Sequence, residues 1–151
     1  MTDTGGDVHV RWQGARQYEV SRSGAPPITL DGNRVLGPGP VEALLASLAS
    51  CSAMDIVDYL DKRRTPATRL DIRVSAVRAA TVPRRVLSAL LEFAIDGEGI
   101  DVQHAERSIA LAFGTYCSVA ATLKPDVELS SRLVLNGVVH EAVAHTTGRG
   151  A

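Results

Sequence analysis

The sequence has few aromatic residues, 4% Phe, Trp and Tyr together, so its core must be built from Ala, Leu, Val and Ile. It has only two cysteines, Cys51 and Cys117. Two thiols are too few for the disulfide framework that staples small secreted domains. It has no charge excess: the formal net charge is −1, which leaves no electrostatic footprint for nucleic acid or anionic lipid. It also lacks a long apolar run. The longest uncharged one, residues 43–54, is too short to span a bilayer, and the polar start "MTDTGGDVHV" has no secretory apolar segment. These absences point to a soluble, cytoplasmic protein without nucleic-acid or membrane partners. In that setting a Cys51–Cys117 pair would be transient and chemical rather than structural.

Metal and hydrolase patterns are missing too. There is no C-x-x-C and no H-x-x-x-H; His140 and His145 lie five apart in a polar tail. No G-x-S-x-G stretch supports a serine hydrolase. "GPGP" has no following Lys, and its prolines remove the N–H groups that a phosphate would need. No cofactor and no metal is expected.

What is present suits one globular domain. The chain has 151 residues, 45% hydrophobic and 22% charged, enough to bury a core without staples. The expected structured part is about 8–136, with 1–6 and the tail 138–151 loose. Alternation of Val8, Val10 and Trp12, then Tyr18 and Val20, then Ile28 and Leu30, predicts three short strands. Pro40 suits the first turn of a helix over 40–64, rich in Ala and Leu and ended by Thr65-Pro66. Residues 43–57 are apolar or small nearly all round, which predicts a buried central helix. "RLDIRVSAV" and "VLSALLEFAID" alternate and predict a hairpin. Asp101 is a candidate N-cap for a second helix carrying Val102, Ala105, Ile109, Ala112, Tyr116, Ala120 and Leu123 on one face, with a break near Gly114 and an end at Pro125. "VELSSRLVLNG" predicts a last strand. The element order is that of an α+β fold.

Two stretches then stand out, "GPGPVEALLASLASCSAMDIVDYLDKRR" and "AIDGEGIDVQHAERSIALAFGTYCSVAATL". Together they resemble the two cysteine segments of the OsmC/Ohr family, the osmotically inducible and organic hydroperoxide resistance proteins. The likeness covers about 8–136, and the forms "GPGPVE" and "YCSV" resemble the OsmC-like branch more than the Ohr branch. The resemblance implies an intertwined homodimer and a cysteine-based peroxidase. One thiolate attacks an organic hydroperoxide, and a second cysteine captures the resulting sulfenic acid as a disulfide. A dithiol reductant, often lipoyl-linked, reduces it again.

By position, Cys51 matches the attacking cysteine and Cys117 the resolving one. Only a thiolate attacks peroxide, and burial in an apolar helix opposes its formation. Mid-helix, Cys51 is expected to gain nothing from a helix N-terminus and so to need a cation. Arg16 in "QGARQYEV" is the candidate, with Arg22 and Arg34 as rivals, because a guanidinium keeps its charge when buried. Capture by Cys117 needs the two Cα atoms within about 7 Å, or a modest backbone shift.

Two features depart from the Ohr pattern. That branch has a Glu ten residues before its first cysteine; here the position is Val41, and Glu42 lies nine before, about 100° round the helix. Glu42 is therefore either a site residue or a charge suited to the helix start. Asp55, four residues after Cys51, shares its helix face and would disfavour a thiolate unless a cation intervenes or it points to solvent. Two other readings stand beside the peroxidase: a dimeric binding module with an apolar small-ligand pocket, and a thiol redox sensor. The peroxidase reading expects organic peroxides over H₂O₂, from a lining of Leu44, Leu45, Leu48 and Met54.

Overall fold

The computed structural model describes residues 5–123 and 126–145. It divides into two compact units, Met1–Leu45 and Ala46–Ala151.

In the first unit, β1 (His9–Gly14), β2 (Gln17–Ser21) and β3 (Ile28–Asp31) form the three expected strands, paired antiparallel in that order. Trp12 lies opposite Tyr18, and the chain reverses through Gly14 (φ 108°) and Ala15 (φ 47°). The sheet leads into a loop organised by a single carboxylate. Asp31, fully buried at the end of β3, accepts the Asn33 N–H at 2.8 Å and the Val35 and Leu36 N–H groups at 3.1 Å each. Those bonds hold its carboxyl below the usual aspartate range, the Asn33 bond most, with Arg16 adding a smaller Coulombic contribution. The loop delivers Gly39 as the residue before α1 (Pro40–Lys62). Glu42 accepts the Gly39 N–H at 2.7 Å, the reciprocal half of a capping box.

Helix α1 continues into the second unit. Its C-terminus closes with Thr65 N–H on the Leu60 carbonyl (3.1 Å) and Arg64 N–H on the Asp61 carbonyl (2.9 Å). This is a Schellman ending, and Arg64 takes the left-handed position at φ 61°. Within the single chain, burial covers one side of the helix that the sequence predicts to be buried and central. The buried positions are Leu48, Ala49, Ser52, Ile56 and Leu60, one stripe at four-residue spacing, while Met54 is 66% exposed. The periodic stripe gives the helix one covered face within the chain, whatever the sequence between offers. By length and composition alone α1 is long and apolar enough to cross a membrane, a test that the core helices of soluble proteins also pass.

The second unit is a sheet with helices packed on it. β4 (Arg69–Arg78) and β5 (Val86–Asp96) form the expected hairpin. β5 is the central strand: Ala89, Leu91, Phe93 and Ile95 are buried on one face, as the alternation predicts. β6 (Glu128–Leu135) pairs parallel with β5, so the segment between them is a crossover connection. That segment holds α2 (Val102–Leu111), a π-helical turn (Ala112–Tyr116) and α3 (Ser118–Leu123). Asp101 is the N-cap of α2, its carboxylate accepting the Gln103 N–H at 2.8 Å. The helix is broken as expected, but the break falls at Cys117, which is extended (φ −68°, ψ 106°), rather than at Gly114. The stop assigned to Pro125 lies outside the described residues.

The tail differs from expectation. β7 (Val138–Val139) and β8 (Val143–His145) both pair antiparallel with β6. Asn136 (φ 47°) and Gly137 (φ 83°) make the tight turn that starts this return, and Asn-Gly is the strongest two-residue hairpin signal. The polar composition of 140–145 hid it, because an edge strand needs backbone pairing more than apolar side chains.

Two outcomes check this account. Leu91→Ala empties the middle of β5 and is expected to destabilise the protein by about 2–5 kcal/mol in denaturant unfolding. Because the Asp31 carboxyl is depressed below 3.8, its contribution is present above that pH and is lost as pH falls through the folded-state value. Asp31→Asn should therefore lower the melting temperature at neutral pH and narrow the difference from wild type in strong acid.

Candidate functional site

The site grows out of the break at Cys117. A residue in extended conformation between two helical segments ends one and starts the next. Cys117 N–H closes the π-helical turn on the Ala112 carbonyl at 2.8 Å, and its Sγ accepts the Ala120 N–H at 3.3 Å. Cys117 is thus the cap of α3, with a sulfur in the role usually taken by a hydroxyl or carboxylate oxygen. It is buried, 3% exposed, which also explains why the break is not at Gly114: that position has open space around it and no capping atom.

Cys51 lies on α1 facing this new helix start. It is half-buried, and its Sγ is 3.9 Å from the Ser118 hydroxyl. Burial opposes ionisation of the Cys51 thiol and is the largest single influence on it. Hydrogen bonds from the Val119 N–H, the Cys117 thiol, the Ser118 hydroxyl and the Ser118 N–H together outweigh it, and the net shift is downward from 9.0. Cys117 moves the other way. Burial first, then its position as donor to Cys51 and the Cys51 charge, push its thiol up to about 11. One thiol is therefore shifted toward the anion and its neighbour away from it, within hydrogen-bonding reach of each other.

This corrects one sequence expectation. Cys51 is mid-helix on its own element, but it does gain from a helix N-terminus, that of α3. Within the second unit its stabilising donors are backbone N–H, hydroxyl and thiol groups. Ser118 and Val119 were not anticipated. Their only sequence signal is their place directly after Cys117, and that becomes informative only once the helix is known to restart there.

The other anticipated residues lie as follows. Arg16, in the first unit, sits beside Gly32, where an added Cβ would meet its Nε at 2.8 Å, and it acts on the Asp31 carboxyl. Glu42 bonds the Arg34 Nε at 2.6 Å as well as capping α1, so both its helix-start role and an arginine partner are realised, the arginine being Arg34. Arg22 lies against Gly6. Asp55 is half-buried and forms no ion pair with a described residue. Burial, and then the charge of Asp58, raise its carboxyl above the usual aspartate range. Among the described residues no group of three or more His, Cys, Asp or Glu is arranged to hold a metal ion.

A profile of the OsmC-like protein family matches residues 31–132, a span that contains both cysteines, Ser118 and the whole of α1. The chain belongs to the OsmC-like protein family. It is 27% identical over 124 residues to Protein YhfA of Escherichia coli strain K12, across 82% of this chain and 92% of that one. Among solved structures, an OsmC-like protein from Mycoplasma pneumoniae superposes with a TM-score of 0.76 at 18% identity, covering 89% of this chain and 99% of that one. The organic hydroperoxide resistance protein OhrB of Bacillus subtilis superposes with a TM-score of 0.59 at 14% identity, covering 86% and 98%. The mixed α+β architecture of this OsmC-like protein is therefore the OsmC/Ohr fold, and relatives in that fold are named for hydroperoxide resistance.

The split between the two thiols is directly measurable. In peptide-resolved iodoacetamide labelling, Cys51 should be modified first, with the midpoint of its rate profile below pH 9.0, whereas Cys117 should stay protected until pH approaches about 11. Ser118→Ala should move the Cys51 profile to higher pH and leave the order of the two cysteines unchanged.

Proposed function

We propose that this OsmC-like protein is a thiol-dependent reductase of organic hydroperoxides. The observation that supports it most is the opposed preparation of the two sulfurs: a thiol shifted toward the anion, donor-bonded at the start of α3, beside a buried thiol held protonated. The Cys51 thiolate attacks the distal peroxide oxygen. The O–O bond breaks, the alkoxide takes a proton and leaves as the alcohol, and Cys51 becomes a sulfenic acid. The sulfur of Cys117 then attacks that sulfenic sulfur. Water leaves, a Cys51–Cys117 disulfide forms, and a dithiol returns both sulfurs to thiols.

The ordering of roles follows from the same geometry. The sulfur with the lowered proton affinity attacks; a sulfur at about 11 is a poor nucleophile at neutral pH until its partner has changed. Oxidation of Cys51 removes the acceptor of the Cys117 S–H bond and frees that thiol to react. The reading carries a homodimer as its assembly, which the exposed apolar side chains Leu44 and Met54 on α1 support.

One equivalent of cumene hydroperoxide, read by intact mass, tests the scheme. Wild type should lose two hydrogens, Cys117→Ser should retain a sulfenic acid on Cys51 that a dimedone-type probe captures, and Cys51→Ser should not react. Turnover with a dithiol should fall as pH drops through the Cys51 folded-state value, because protonation removes the attacking species. Two unreacted thiols in wild type would sink the proposal and favour the binding-module reading.

A further inference from the structure

A second site lies away from the cysteines, between α2, β6 and β8. The inward register of β6 reads Leu129, Ser131, Leu133, Leu135, and all four are buried. A serine in that register does not fill the space that a leucine would, and it brings a hydroxyl into an apolar layer, which costs stability unless the group is bonded. Its partner is His145 on β8: Ser131 Oγ and His145 Nε2 are 2.7 Å apart. The imidazole is fixed by Phe113, whose ring stacks on it at 4.3 Å with an interplanar angle of 8°.

The missing volume opens as a pocket of about 40 Å³, bounded by Ile109 and Leu133, the exposed Val143, and the Ser131–His145 pair. That is room for about two or three water-sized groups. Two further lining residues, Glu106 and Glu141, are exposed acids, one from α2 and one from the β7–β8 connection. Neither forms an ion pair with a described residue, and the described lining contains no Lys or Arg. The pocket therefore combines apolar walls, one polar pair at its base and two carboxylates with no counter-charge among the described residues.

We propose that this pocket binds a short primary alkylammonium, the alkyl chain against Ile109, Leu133 and Val143 and the ammonium between Glu106 and Glu141. A neutral alcohol of the same length lacks the charge, and a carboxylate would be repelled. The size of the pocket limits the chain to a few carbons. Binding here does not rest on the peroxidase reading.

The test is a methyl-resolved NMR titration of the full chain with n-propylammonium chloride, with n-propanol as the neutral control. Saturable shifts are expected at the Ile109, Leu133 and Val143 methyl groups, with n-propanol about fivefold to tenfold weaker, the range that two solvent-exposed charge contacts supply. E106Q/E141Q should weaken n-propylammonium to the level of the alcohol, and added salt should do the same in part. Ser131→Val, which fills the cavity, should abolish the shifts, with thermal unfolding as its folding control. Absence of saturable shifts, or equal binding of the alcohol and the ammonium, or an unchanged affinity in E106Q/E141Q, would overturn the proposal.

Discussion

The opposed proton affinities of the two cysteines depend on one interruption, the extended residue Cys117 between the π-helical turn and α3. Had the helix from Asp101 run on without a break, the N–H groups of Ser118 and Val119 would be bonded to carbonyls a turn earlier. Because it stops, those N–H groups are free at a helix start, and Cys51 is the acceptor placed before them. The same break makes Cys117 a cap and so buries it. One backbone feature thereby lowers the proton affinity of one sulfur and raises that of the other. A π-helical turn before the break is consistent with this, since the extra residue in the turn rotates the following segment relative to α2.

The surrounding fold makes that interruption tolerable. β5 and β6 are parallel, so the chain between them must cross over the sheet, and a crossover of that length can hold a broken helix without disturbing the ladder. Phe113, from the π-helical turn, packs edge-on to Phe93 at 6.2 Å and face-on to His145. The turn is thus anchored in the core on one side and on β8 on the other.

Much of the architecture was legible in the residues. Alternation located β1 to β6, the proline and glycine signals located the start of α1, and Asp101 was readable as a cap because an aspartate before an apolar-periodic run has one obvious local use. The pairing of two cysteine segments was readable as a family resemblance. Other features were not. The left-handed ending at Arg64 replaces the glycine that sequence rules expect, because the neighbouring bonds to Leu60 and Asp61 hold it there. Asp31 gave no signal as an organiser: its three N–H partners follow within five residues, but only a bend brings them round it. The β7–β8 return was signalled by Asn136-Gly137 and masked by a polar tail.

By itself the sequence determined which residues carry thiols and how far apart they stand along the chain: two cysteines, one in an apolar helix and one after a helical stripe. It also determined the α+β order of elements, because hydrophobic period is a local property that survives without a structure. Only the tertiary structure decided which sulfur gives up its proton more readily. Ionisation depends on donors from another element, here the restarted helix at Ser118 and Val119, and on burial, which belongs to the packed chain and not to any stretch of it. The same holds for Ser131 and His145, fourteen residues apart, which became neighbours when β8 turned back onto β6.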